Sequence, residues 1–337
     1  MVTLMDNDIK GELLVGLRAV ILGESVAVRY VGSVLASMGA AVTSATENGA
    51  QDPLARVFAS KTSAVHVADL RDSAFDVCVA DSDADGLKLF VGRGPVVAVK
   101  WPATFNRRSL STAISDASGA SNATGERERA PLDMPGEAAS ISVGAVVAGT
   151  ALSLAFGPPE PVTVELDAAS ILISFFEQNV SSYTVRGIEW TREGHRAAQS
   201  CGTFPYASYA CKGGGRVAVI ARSSQDWAEI ARAIGADDLL AEFPDALAII
   251  DDGHLDEVDR RAAEYFAQFT RDELGEIAES AGVLIAPMAS IEEVLDYDEP
   301  LTSRQYWILE DDVRVPGVPW AIHSGPSTSQ SVNGEYR

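Results

Sequence analysis

Residues 17–43 constrain the fold more than any other stretch of the chain. Leu17–Leu22 (LRAVIL) is a short apolar run of the kind found in strands covered on both faces. Residues 25–38 then carry apolar side chains at helical spacing, and Gly39 stops that helix before a second short strand at 41–43. Strand, helix and strand in this order form a right-handed parallel crossover, which predicts a Rossmann-like α/β sheet. Further strands are expected at 63–70, 75–80, 95–99 and 162–166, with helices at 137–156 and 168–179. The stretch 109–125 reads as a helix or a loop, and 181–199 as an extended connection. A second group begins near Gly202, with strands at 206–210 and 216–221 and helices at 225–234, 257–269 and 271–281. The glycines of KGGGR (212–216) fit a hairpin turn between those strands better than a glycine-rich lid, and the tail beyond Asp296 is loop-rich.

Charge narrows the function. The net charge of −22 over 337 residues disfavours nucleic acid and anionic membranes, which need clustered Lys and Arg. Any anionic substrate requires a local positive pocket inside this field. The three cysteines, Cys78, Cys201 and Cys211, match neither a disulfide framework nor a zinc pattern, so no metal is expected. The N-terminal residues lack the basic and apolar regions of a signal peptide, and the apolar stretch 141–156 is short for a membrane span. A cytoplasmic protein is the expectation. No P-loop, nucleophile elbow or zincin motif is present.

Three segments together resemble class III CoA-transferases, the family of formyl-CoA and carnitine-CoA transferases and of α-methylacyl-CoA racemase. They are GLRAVILGESVAVRYVGSVLASMG (16–39), ASGASNATGERERAPL (117–132) and FTRDELGEIAESAGVLIAPMASIEEVL (269–295), the last continuing into Arg304 and VRVPGVPWAIHSGPS (313–327). The resemblance implies a Rossmann-like large domain built from both chain ends, with a smaller α/β domain inserted, and an interlocked dimer. In this chain that means a large domain over 1–200, a small domain over 201–285 and a return segment over 286–337. It also implies an acyl-CoA and a small carboxylic acid as partners, with the coenzyme A thioester a substrate rather than a resident cofactor.

In such proteins a carboxylate shortly after the "PL" motif attacks the thioester and forms a mixed anhydride. The matching residue here is Glu137, where relatives carry Asp. A charge at a helix start, favoured by the dipole, explains Glu137 equally well. Ser25, Val26 and Ala27 align with the turn that holds the CoA pantetheine or nucleotide. Arg107 and Arg108 align with a diphosphate clamp, with a solvated surface pair as the other reading. Several family features are missing: Ser44 replaces a basic residue, and Lys100-Trp101-Pro102 stands where a glycine-rich segment is usual. Three functions follow: an acyl-CoA:carboxylate CoA-transferase acting through a glutamyl anhydride, a catalytically inactive subunit that pairs with a complete homologue, or an acyl-CoA isomerase or lyase using Glu137 with Asp116. The racemase branch lacks its histidine, since His66, His195, His254 and His323 all lie elsewhere.

Overall fold

A computed structural model describes residues 13–45, 57–58, 62–102, 110–158, 160–197, 201–296, 306–310 and 313–317. In chain order its elements begin with β1 (Arg18–Leu22), α1 (Val26–Ser37), β2 (Ala41–Ala45), β3 (Ser63–Val65), β4 (Val77–Asp81) and β5 (Val96–Lys100). Helices α2 (Leu110–Ala117), α3 (Ala120–Ala123) and α4 (Ala138–Ala155) follow, then β6 (Thr163–Asp167), α5 (Ala168–Phe175) and α6 (Glu177–Arg186). Next come β7 (Tyr206–Ala210), β8 (Arg216–Ile220), α7 (Ser224–Ala233), α8 (Asp237–Glu242), α9 (Ala248–Asp251), α10 (Leu255–Phe266) and α11 (Arg271–Ala281). The last are β9 (Ile285–Pro287), α12 (Ile291–Asp296), β10 (Trp307–Glu310) and β11 (Val313–Pro316).

The chain divides into two compact units. One spans 1–101, 140–168 and 298–337, and the other 102–139 and 169–297. The sequence expectation kept 1–200 together; instead 102–139 and 169–200 belong with the second unit. The reason is that α4 packs against α1 and β6 pairs with β5, which divides the stretch.

The first unit holds a six-stranded sheet in the order β3-β2-β1-β4-β5-β6, with every neighbouring pair parallel. β1, β4 and β5 lie inside it, and Val77, Cys78, Val79, Ala80, Val96 and Val97 are fully buried, as parallel strands covered on both faces require. The strand order reverses between β1 and β4, so the C-terminal ends of those two strands form the switch point at which doubly wound sheets bind ligands.

Helix α4 is long and apolar enough to cross a membrane, by length and composition. Its Val143, Val147 and Ala151 form a fully buried stripe at four-residue spacing. A Cβ at Gly144 would lie 2.8 Å from the carbonyl oxygen of Ala27, so only glycine lets α4 approach α1 this closely.

The second unit contains the antiparallel sheet β7-β8-β9 with α7, α10 and α11 packed on it. Its core centres on Trp227, Phe204, Tyr209 and Phe266, the last two stacked 4.4 Å apart. The KGGGR turn joins β7 to β8 with Gly213, Gly214 and Gly215 all at positive φ, a conformation that glycine adopts without strain.

Four local expectations change. Only Ser63–Val65 of the expected strand 63–70 pairs with β2, and Val67–Leu70 forms a 3-10 turn. The helix expected over 168–179 is two, α5 and α6. The second continues to Arg186, inside the expected extended connection, and ends on Gly187 at φ 68°. Its Ser, Thr and Tyr residues are weak helix formers, so local propensity gives no sign of it. In the tail, β10 and β11 form an antiparallel hairpin.

Candidate functional site

The β1–α1 turn is built around a buried carboxylate. Ser25 caps α1, its Oγ accepting the Val28 N–H at 3.3 Å. The same hydroxyl donates to Asp81 Oδ1 at 2.6 Å, and Trp101 Nε1 donates to that oxygen at 2.8 Å. Asp81 Oδ2 accepts the N–H groups of Glu24 and Ser25, each at 3.0 Å. Burial pushes the Asp81 carboxyl above the ordinary aspartate range, against the lowering effect of its donors Ser25 and Trp101. Val26 and Ala27 lie next along the helix, and their N–H groups have no acceptor among the described residues, as is usual in a first turn. Arg29 is buried in the following turn and ion-pairs through Nη2 with Glu24.

Glu137 stands immediately before α4, in the second unit. The turn that carries it is pinned locally. Ser111 Oγ donates to the carbonyl of Gly136 at 3.3 Å, Ser121 Oγ donates to Asp133 Oδ1 at 3.0 Å, and the Leu132 N–H donates to the carbonyl of Thr124 at 3.0 Å. Gly136 has φ 54°, the left-handed conformation that lets the chain turn into the helix. The Glu137 side chain is half-buried, and its carboxylate has no hydrogen-bond or ion-pair partner among the described residues. Asp116, the alternative acid, is exposed on α2. Arg107 and Arg108 lie outside the described residues.

Two clusters escaped sequence reasoning. The first is Asp81 with Trp101: Asp81 sits in an Asp-Ser-Asp-Ala-Asp run that reads as an acidic loop, and Trp101 stood out only as a departure from the family pattern. The second is in the other unit. Asp259 on α10 is buried and accepts from Tyr209 Oη at 2.8 Å, His195 Nε2 at 3.0 Å and Arg196 Nη1 at 3.3 Å. Burial, the largest single influence on Asp259, raises its carboxyl, but these bonds and the neighbouring positive charges outweigh it and hold the group below its ordinary range. Burial first, and then the Asp259 charge and hydrogen bond, push the Tyr209 phenol well above its own. The network ties residues 195–196 to β7 and α10, so His195 reads as a satisfied structural histidine. Among the described residues no three His, Cys, Asp or Glu side chains gather in a way that would hold a metal ion.

Solved structures similar to this chain share its fold. A CaiB/BaiF family protein from Brucella suis superposes with a TM-score of 0.67 at 17% identity, covering 92% of each chain. A hypothetical protein from Mycobacterium tuberculosis gives a TM-score of 0.70 at 17% identity over 92% of this chain and 93% of its own. No curated protein matches. The model of CoA-transferase family III matches residues 103–333, well over half of the sequence. The chain therefore belongs to CoA-transferase family III.

Proposed function

We propose that the protein is an acyl-CoA:carboxylate CoA-transferase with Glu137 as its nucleophile. The observation that carries this reading is the state of one carboxylate. Glu137 is half-buried at a helix start, held by a pinned turn, and has no partner among the described residues. A purely structural acid there would be expected to spend its lone pairs on neighbouring N–H groups. It stands at the N-terminal end of the 18-residue α4.

The exchange balances without water or a redox partner. A Glu137 carboxylate oxygen attacks the acyl carbon, the C–S bond breaks, and CoA leaves as thiolate. The thiolate attacks the glutamyl carbonyl of the anhydride, releasing the donor acid and leaving a glutamyl thioester. The acceptor carboxylate then attacks that thioester, forming a second anhydride and freeing the thiolate again. Attack of the thiolate on the new acyl carbon yields the product acyl-CoA and restores Glu137. Each step trades one activated acyl group for another of similar energy.

The thioester's CoA portion is proposed to lie along the turn at Ser25, Val26 and Ala27, where the Val26 N–H is open to it, and Arg107 and Arg108 are proposed to clamp its diphosphate. A dimer belongs to the same proposal. Helix α6 leaves Val180 48%, Tyr183 62% and Val185 81% exposed, apolar area that a second copy or a homologous chain would cover. Three unpaired cysteines suit a reducing cytoplasm.

The test is to incubate the protein with an acyl-CoA and hydroxylamine and to map the adduct by mass spectrometry. A hydroxamate on Glu137 is expected; transferase activity retained in Glu137→Ala would end the proposal. The inactive-subunit reading draws on the Asp81 carboxylate lodged at the β1–α1 turn, and robust activity from the isolated chain would remove it.

A further inference from the structure

At the switch point of a doubly wound sheet, the N–H groups that open the first helix commonly receive an anionic group of a ligand. In this chain that place is filled from within. Asp81, the last residue of β4, is 6% exposed and takes the backbone N–H groups of Glu24 and Ser25, the Ser25 hydroxyl and the Trp101 indole. All four partners can donate at once only to an acceptor-only group, which is the ionised carboxylate. Gly23, at φ 125°, has no room for a side chain: a Cβ there would overlap Asp81 Oδ2. The turn is therefore a working anion receptor whose anion is a residue of the protein.

We infer that Asp81 is a specificity-determining residue: its carboxylate occupies the phosphate cradle of the β1–α1 turn and restricts that turn to an uncharged stretch of ligand. The surrounding charges agree. Arg29 is 4% exposed, with Nη2 committed to Glu24 and with Nε and Nη1 unpartnered among the described residues, while Asp83 acts on Asp81 as a second like charge. Glu24, Asp81 and Asp83 thus outweigh the one guanidinium at this turn. A phosphate entering here would have to displace a tethered carboxylate and then face two more. The Val26 N–H, partly exposed and without an acceptor among the described residues, suits the carbonyl oxygen of an amide or thioester. Taken with the transferase reading, on which this extension rests, the pantetheine arm lies at the turn and the diphosphate is held elsewhere.

The test uses the full chain as wild type, Asp81→Ala and Asp81→Asn, titrated with sodium formate, inorganic pyrophosphate and pantetheine. Asp81→Ala frees all four donors. Its melting temperature should rise with formate while that of the wild type does not, and its pyrophosphate affinity should exceed the wild-type value by at least about tenfold. Asp81→Asn keeps the shape and covers the case in which the alanine variant does not fold; it should also gain pyrophosphate affinity, by several-fold. If neither variant gains binding of formate or pyrophosphate, the inference is overturned. Pantetheine separates the two ideas. Anion gain without pantetheine binding to any of the three proteins sinks the thioester reading and leaves the role of Asp81 standing; pantetheine binding without anion gain does the reverse.

Discussion

At the β1–α1 turn the Asp81 carboxylate is enclosed by four donors, whereas at the start of α4 the Glu137 carboxylate is half-buried with no partner among the described residues. Both acids stand where backbone N–H groups and a helix dipole favour negative charge. What separates them is how their lone pairs are used. A carboxylate whose acceptor sites are filled holds two elements together and is a poor nucleophile, because attack would break every one of those bonds. One left open at the same kind of position keeps its electrons available. Helix α11 supplies a third case: Thr270 and Glu273 form a reciprocal capping box, with Glu273 Oε2 accepting the Thr270 N–H at 2.7 Å, so this acid too is spent on structure.

The comparison can be broken at each of these positions. Glu137→Gln should abolish transferase turnover, by more than about 1,000-fold in kcat, while changing unfolding free energy by no more than about 0.5 kcal/mol. Steady-state kinetics beside urea denaturation would check this, and a large loss of stability would place Glu137 with the structural acids. Asp81→Ala should do the opposite and cost about 3 kcal/mol or more, since it strands buried donors that had a charged acceptor. Gly23→Ala should cost about 2 kcal/mol, from positive φ together with the overlap on Asp81, and should show as a lowered denaturation midpoint. Thr270→Ala should cost about 1 kcal/mol through loss of the cap, measured the same way.

A pH titration of stability sharpens the contrast between the two structural acids. Hydrogen bonds from Thr270 hold Glu273 below the ordinary glutamate range, so its contribution is present above that range and is lost as pH falls through the lowered value. Burial holds Asp81 above the ordinary aspartate range, so the folded state binds its proton more tightly than the unfolded chain. Its contribution is greatest below the ordinary aspartate value and declines as pH rises through the raised one. Wild type minus Glu273→Gln should therefore gain stability with rising pH through the acid range, and wild type minus Asp81→Asn should lose it. The same sign for both differences would mean that donors rather than burial govern Asp81.

Much of the architecture was legible in the order of residues. The LRAVIL strand, the Ser25-capped helix and the helix 271–281 stand where periodicity and capping put them, because hydrophobic spacing and local hydrogen bonds act over a few residues. Glu137 was legible as a candidate from its place after Pro131-Leu132, although its lack of a partner was not. Nothing in the run Asp81 to Asp85 distinguishes the first aspartate from its neighbours. It is buried because β4 ends beside β1, 56 residues away in sequence from Ser25, and because Trp101 returns from β5 to meet it.

By itself, then, the chain's covalent order determined the wind of the sheet, the helix starts and the family, since each rests on short-range pattern or on motifs kept in sequence order. Only the tertiary structure decided which carboxylates are occupied and which are open. Donor satisfaction depends on residues brought together across strands, and no local pattern encodes it.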